Sequence, residues 1–519
     1  MKLKLIGMAA SMLASSTVFA VPSMCSNPVS EKLSINDVQA QARYEQLMLA
    51  NIATSNHLTV QGEVFNTLPG MIVAAQSNYN PDYAYHWARD AGLTMLAVND
   101  LAKQNFSKYQ SYLDNYINWS SHINTLSPVN YSCENEACPV LGEPKFNLDG
   151  SIYTGPWGRN QNDGPAIRAV ALMQILDNYA KNNKTPKGYD NIDAVFREVI
   201  EPNLNYVASN WQSPTFDLWE EVKGMHFFTL MTQYTSLILA DQFAKAHNIS
   251  IHQNYDQIAQ EIKKYLEDHF YYTGSGYTYH YARVNTLTAL DIPTKANWNY
   301  FDQNKHAWMN ISIILAIAFE QKYLSKKDLI WSLSSDATLN TAYETINYYA
   351  DKNVNSPTNL AAYGGPNIGR YPADVYGGTA GDQAGAWFLA TTVMSRVYLQ
   401  VASEINQGAL TSINSINVKF FNQAITLYRA ITGDSSMQML KAGDSVNKKL
   451  ASVMMSLADN MLYANQRHGK QPCGFGNFSA CNLSEQYNFS TGVEQSVSDL
   501  TWSYAEVLRA LQQRNKICS

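Results

Sequence analysis

Apolar residues recur at helical spacing thirteen times along the 519-residue chain. The runs fall near 35–53, 91–104, 109–123, 165–181, 192–209, 226–246, 255–268, 304–320, 336–350, 383–404, 415–431, 446–463 and 498–513. Strand-like alternation is sparse, with Tyr277-Thr278-Tyr279-His280-Tyr281 the best case. There is no charged tail, no Pro- or Ser-rich linker and no short internal repeat. Many similar helices joined by long, Gly- and aromatic-rich loops predict a helical toroid or solenoid. Loops this long inside a compact domain usually carry function.

Only 15% of residues are charged, against roughly 25% in an average globular chain. With 37 Lys+Arg and 43 Asp+Glu the net charge is −6, which argues against a general nucleic-acid partner. The 33 Tyr and 10 Trp offer flat faces with polar tips, which suit sugar rings as well as packing.

Lys2 and Lys4, the apolar run Leu5 to Ser16 and the small-x-small triplet Val18-Phe19-Ala20 read as a secretory signal peptide over residues 1–20. The run is shorter than the ~20 residues a membrane span needs. Residues 21–519 are expected to form one catalytic domain, secreted and monomeric, with no membrane partner. Six cysteines in an exported chain predict disulfides. Local spacing suggests Cys133–Cys138 and Cys473–Cys481, leaving Cys25–Cys518 to tie the ends. Zinc is a weak rival, because there is no CxxC pair and no HExxH; no metal or cofactor is expected.

Four loop segments mix aromatic and charged groups in a chain otherwise poor in charge. Pro81 to Asp90 leads into a helix, where Asp90 is either a cap or, with Arg89, a fork for vicinal sugar hydroxyls. Trp157 to Ala166 ends in Asp163-Gly164-Pro165, a helix start with Pro in its first turn. Asp217-Leu218-Trp219-Glu220-Glu221-Val222 places three carboxylates within five residues. They are either an acidic turn complementing a helix dipole or a partly dry set that yields a general acid. Ser484-Glu485-Gln486-Tyr487 precedes Asp499 to Tyr504, where Ser498 or Asp499 is a candidate cap; taken alone, Glu485 reads as a surface residue.

These four segments, in this order and with Gly369-Arg370-Tyr371-Pro372-Ala373-Asp374, resemble the motifs of the glucoamylases, glycoside hydrolase family 15. The likeness spans residues 80 to 510. It implies an (α/α)6 barrel and an exo-acting, inverting hydrolase that releases glucose from the non-reducing ends of α-1,4-glucans such as maltooligosaccharides, starch and glycogen. By the resemblance, Glu220 is the general acid and Glu485 the general base, with carboxyls roughly 6.5–9.5 Å apart to hold a water. Arg89, Asp90 and Arg370 hold hydroxyls, Glu221 and Asp217 line the next sugar site, and Tyr83 bonds near Glu485. Trp87, Trp157, Trp219 and Trp502 form the walls. Asn160, Asn162 and Ala373 depart from the Pro, Arg and Glu of fungal members, which leaves a glucodextranase or trehalase-like linkage open beside an inactive sugar-binding protein. No separate starch-binding domain is expected. GxGxxG, Walker and GxSxG fingerprints are missing.

Overall fold

The computed structural model describes residues 23–27, 29, 31, 37–130, 133, 138–272, 283–284, 309–468 and 481–519. The expected signal peptide, the Tyr277–Tyr281 strand and Cys473 lie outside them. The main helices are α1 (Asp37–Ala50), α2 (Ala88–Ala102), α3 (Phe106–Ile123), α4 (Asp163–Lys181), α5 (Glu201–Asn210), α6 (Phe227–His247), α7 (Tyr255–Phe270), α8 (Ser312–Tyr323), α9 (Asp336–Tyr349), α10 (Pro357–Tyr363), α11 (Phe388–Asn406), α12 (Val418–Thr432), α13 (Lys448–Arg467) and α14 (Thr501–Cys518).

Helices α2, α4, α6, α8, α11 and α14 each pack on the next, and α14 closes back on α2. This is the inner ring of an (α/α)6 barrel. Helices α1, α3, α5, α7, α9 and α13 lie outside it, with α10 and α12 against the α9 and α13 side. The two rings differ in sequence for a physical reason. All fifteen residues of α2 are buried, as a helix enclosed on every side requires. Helix α7 buries only Tyr255, Ala259, Ile262, Leu266 and Phe270, one stripe at helical spacing. Helices α2 and α4 approach closely where they meet the site: a Cβ on Gly92 would sit 2.7 Å from Ile167 Cγ2, and one on Gly164 2.9 Å from Ala88 Cβ.

Each of the thirteen expected helical runs holds a helix; residues 304–308 of one run fall outside the described residues. The short α10 went unpredicted, since seven residues make too little periodicity to read. The run expected as one helix over 192–209 opens into a π turn at Phe196–Ile200 before α5. Pro202 lacks an N–H and its ring crowds the carbonyl of residue 198, so the regular ladder cannot pass through it. Strands are short. Two-residue ladders pair His86–Trp87 with Lys145–Phe146, Thr215–Phe216 with Lys223–Gly224, and Gln486–Tyr487 with both Ala386–Trp387 and Glu494–Gln495. Disulfides join Cys25 to Cys518 and Cys133 to Cys138. No described helix is long and apolar enough to cross a membrane.

One inner-ring carboxyl lies away from the loop end of the barrel. Glu320, near the end of α8, is fully buried and accepts the Ile330 N–H at 2.7 Å. Burial pushes its pKa from 4.5 up to about 8, against the opposing pull of the Ile330 and Trp331 N–H groups and Lys263. The folded state therefore holds the proton more tightly than the unfolded chain. The stability linked to Glu320 is complete below its unfolded pKa and is lost as pH rises to about 8. Glu320→Gln mimics the neutral acid. We expect it to raise Tm at pH 8 by about 2–4 °C and to flatten the fall of Tm between pH 5 and 8. Parallel Tm–pH curves for the two proteins would refute this.

Candidate active site

The loops entering the N-terminal ends of the inner helices converge on a cavity of about 520 Å³. Those ends carry the positive poles of the helix dipoles, which favours gathering carboxylates there. Glu220 and Glu485 both line this cavity.

Glu220 sits at the tip of the hairpin formed by Thr215–Phe216 and Lys223–Gly224. Its φ is +65°, a left-handed conformation that a non-glycine residue adopts at a cost of about 1 kcal/mol. Asp217 holds that turn. Its carbonyl accepts the Glu220 N–H at 2.9 Å, and its Oδ1 accepts those of Glu221 and Val222 at 2.8 and 2.9 Å. Asp217 is thus spent on the backbone and is not among the cavity-lining residues, unlike Leu218 to Glu221. The acidic-turn reading also fails, since α6 starts only at Phe227. Glu220 Oε1 accepts Trp87 Nε1 at 2.7 Å and Gln161 Nε2 at 2.9 Å, and Oε2 accepts Trp157 Nε1 at 3.0 Å.

Glu485 is 2% exposed, not a surface residue. The three-stranded ladder beside it and the Glu485 N–H to Val497 carbonyl bond fix its backbone. Tyr83 donates to Oε1 at 2.8 Å, while Ser496 and Gln486 donate to Oε2 at 2.5 and 3.4 Å. Because Tyr83 donates onward, the 2.7 Å contact between the Tyr376 and Tyr83 hydroxyls has Tyr376 as donor. Burial raises the Glu485 pKa; Ser496 and Tyr83 hold it down in part. The rings of Tyr83 and Trp87 lie 5.4 Å apart, so neighbouring aromatics brace the two carboxylates.

Two buried arginines flank the pair. Arg89 donates to Asp163 at 2.6 Å and Gln161 at 3.1 Å and lies 3.6 Å from Glu220 Oε1. Arg370 forks onto Asp374 at 2.8 and 2.6 Å, bonds Glu221 at 2.9 Å, and is ringed by Trp219, Tyr376 and Trp387. Asp90 is no cap: α2 is capped at Trp87 without a side-chain bond. Burial pushes the Asp90 pKa up to about 7; Arg89 opposes this and Glu220 adds to it.

Of the expected site residues, Tyr83, Trp87, Arg89, Asp90, Trp157, Trp219, Glu220, Glu221, Arg370, Glu485 and Trp502 line the one cavity. Sequence reasoning missed Lys145, Tyr376, Trp387 and Tyr153, which line it too. Lys145 Nζ lies 3.3 to 4.5 Å from the ring centres of Tyr85, Trp87, Tyr153 and Trp157, and burial brings its pKa down to about 8. Neither candidate cap of α14, Ser498 or Asp499, takes that position: Asp499 accepts from Tyr504 and Asn482, and Leu500 stands at the cap. Three lining side chains carry buried N–H groups without a protein acceptor: Arg89 Nε, Trp387 Nε1 and Trp502 Nε1. Aromatic walls with unmatched donors suit a ligand presenting many hydroxyls. Among the described residues no group of three or more His, Cys, Asp or Glu is placed to hold a metal ion.

Residues 42–512 match the model of the family described as Glycosyl hydrolases family 15. A glucoamylase of Saccharomycopsis fibuligera is 31% identical over 475 residues, covering 88% of this chain and 86% of that one. An intracellular, sporulation-specific glucoamylase of Saccharomyces cerevisiae is 29% identical over 469 residues, covering 86% and 79%. The solved structure of a glucoamylase from Saccharomycopsis fibuligera matches with a TM-score of 0.74 at 27% identity, covering 94% of this chain and 96% of that one.

Proposed function

The chain belongs to glycosyl hydrolase family 15, and on that premise we propose that it is a glucan 1,4-alpha-glucosidase that removes glucose from the non-reducing ends of α-1,4-glucans with inversion. One observation carries the assignment of roles: two carboxylates face a single cavity, braced through Trp87 and Tyr83, whose rings touch.

Glu220 acts as the general acid. Its Oε1 is occupied by two N–H donors, so the proton rides on Oε2, which has only Trp157. As the glycosidic oxygen takes that proton, the three donors stabilise the carboxylate left behind. Glu485 acts as the general base and takes a proton from the water attacking the opposite face of the sugar. Arg89, Asp90 and the unmatched donors of Trp387 and Trp502 bind the terminal glucose. Arg370 and Glu221 bind beside it, and Trp87, Trp157 and Trp219 exclude water. Asp217 serves by presenting Glu220. We also infer export through a signal peptide over residues 1–20, leaving one catalytic domain over 21–519. The Cys25–Cys518 and Cys133–Cys138 bridges support an oxidising destination.

Proton NMR of maltotriose hydrolysis at early times tests the reading: β-glucose should appear first. α-Glucose first would mean a retaining mechanism and different roles for the pair; no glucose would mean another linkage or a binding role. The pH profile gives a second check. Glu485 must be ionised to act, and Ser496 helps to keep it so. Ser496→Ala should therefore move the acidic limb of kcat/KM to higher pH. An unmoved limb would separate Glu485 from that titration.

A further inference from the structure

A second cavity, of about 410 Å³, lies behind the Arg370 loop. Residues 369–374 form the partition: Arg370 faces the catalytic cavity, while Gly369, Tyr371 and Asp374 line the second one. Its aromatic wall is continuous. The Tyr348 and Tyr349 rings meet edge-on at 5.0 Å, and Tyr349 stacks on Phe489 at 5.2 Å with the planes 18° apart. Lys352, Asp382 and Gln383 add polar groups to the lining.

Two features point to a ligand of one chemistry. Tyr349 is 3% exposed, yet its hydroxyl has no hydrogen-bond partner. A Cβ on Gly369 would come within 2.8 Å of that hydroxyl, so glycine there lets the ring end of Tyr349 pack against the partition. A buried hydroxyl left unpaired is costly, and a polar group entering the cavity would satisfy it. The charge of the lining is also balanced: Lys352 and Asp382 both line it, and Asp374 is already committed to Arg370. Nothing selects an ion. A neutral molecule with apolar faces and rim hydroxyls fits both the aromatic wall and the donors.

We propose that this cavity is a non-catalytic binding site for a glucosyl unit of an α-glucan. The substrate class rests on the function proposed above. The site would hold a second stretch of chain close to the catalytic cavity, sharing its Arg370 partition.

Titrating maltotriose calorimetrically into the Glu220→Gln protein, whose turnover is slowed about a hundredfold or more, tests this. Two binding events are expected. Adding Tyr348→Ala or Gln383→Ala should weaken one of them about five- to tenfold, while the other, unchanged, certifies the fold. A single event indifferent to both substitutions, or two events that survive them, would overturn the proposal. Failure of the catalytic reading is distinguishable. It appears as an absence of glucose release by the unsubstituted protein, and an event sensitive to Tyr348 and Gln383 would still stand.

Discussion

Glu220→Gln is expected to lower kcat on maltotriose by about 10²–10⁴-fold while changing KM by less than about threefold. The amide is nearly isosteric. Its oxygen can still accept Trp87 and Gln161, so most of the cavity keeps its shape; the transferable proton is lost, and with it the acceptor for the Trp157 N–H. Glu485→Gln should cost a similar factor. Its amide oxygen still accepts from Tyr83 and its NH₂ can donate to Ser496, but it cannot take a proton from water. The two losses are separated by leaving group. In α-glucosyl fluoride the departing fluoride needs no protonation, so Glu220→Gln should recover most of its rate on that substrate and Glu485→Gln almost none. Equal losses on both substrates, or recovery by the wrong variant, would reverse or remove the assigned roles.

Asp90 adds a pH dependence to the site. Its pKa of about 7 against an ordinary 3.8 means that the folded protein is protonated there where the unfolded chain is not. The linked stability is complete below the ordinary value and is lost as pH rises through about 7, parallel to that of Glu320. The arrangement that prepares the cavity for sugar hydroxyls thus costs the ligand-free protein stability at neutral pH.

The barrel was readable because enclosed and half-enclosed helices leave different periodic signatures, as α2 and α7 do. The site was readable where its residues are contiguous: Trp219-Glu220-Glu221 and Trp87 to Asp90 each lie on one loop. Residues that belong to the site only through tertiary packing escaped. Lys145 looks like any surface lysine, since lysine is seldom buried; four rings from two segments, one far from it in sequence and one across a loop, create its environment. Ser496 reaches Glu485 directly and Tyr376 through Tyr83, each from a stretch whose local sequence does not announce it. Asp217 misled in the opposite direction. The family resemblance suggested sugar contact, but a left-handed turn needs its backbone N–H groups satisfied, and that need took the carboxylate. Asp499 was, with Ser498, a candidate cap of α14; it has a φ of +58° and its carboxylate accepts from Tyr504 instead.

Arg370→Leu should destabilise the protein by about 3–5 kcal/mol and raise KM for maltose. The guanidinium is buried, and burial alone would lower its pKa; Asp374 and Glu221 lift it well above the ordinary arginine value. Removing it leaves Asp374, whose side chain is 5% exposed, and Glu221, 29% exposed, without their shared cation. The cost is mostly that of an uncompensated buried charge, so it should be partly reversible without restoring the ion pair. Arg370→Leu combined with Asp374→Leu should regain half or more of the lost stability in urea unfolding, because the remaining Glu221 is the wetter of the two. It should regain none of the activity, because the cavity still lacks its cation. Arg370→Lys should fall between, keeping the charge but losing the fork that grips both oxygens of Asp374 at once. If the double variant is as unstable as the sum of the singles, the cost lies in lost packing among Trp219, Tyr376 and Trp387. The arginine would then matter as a spacer between aromatic rings rather than as a charge.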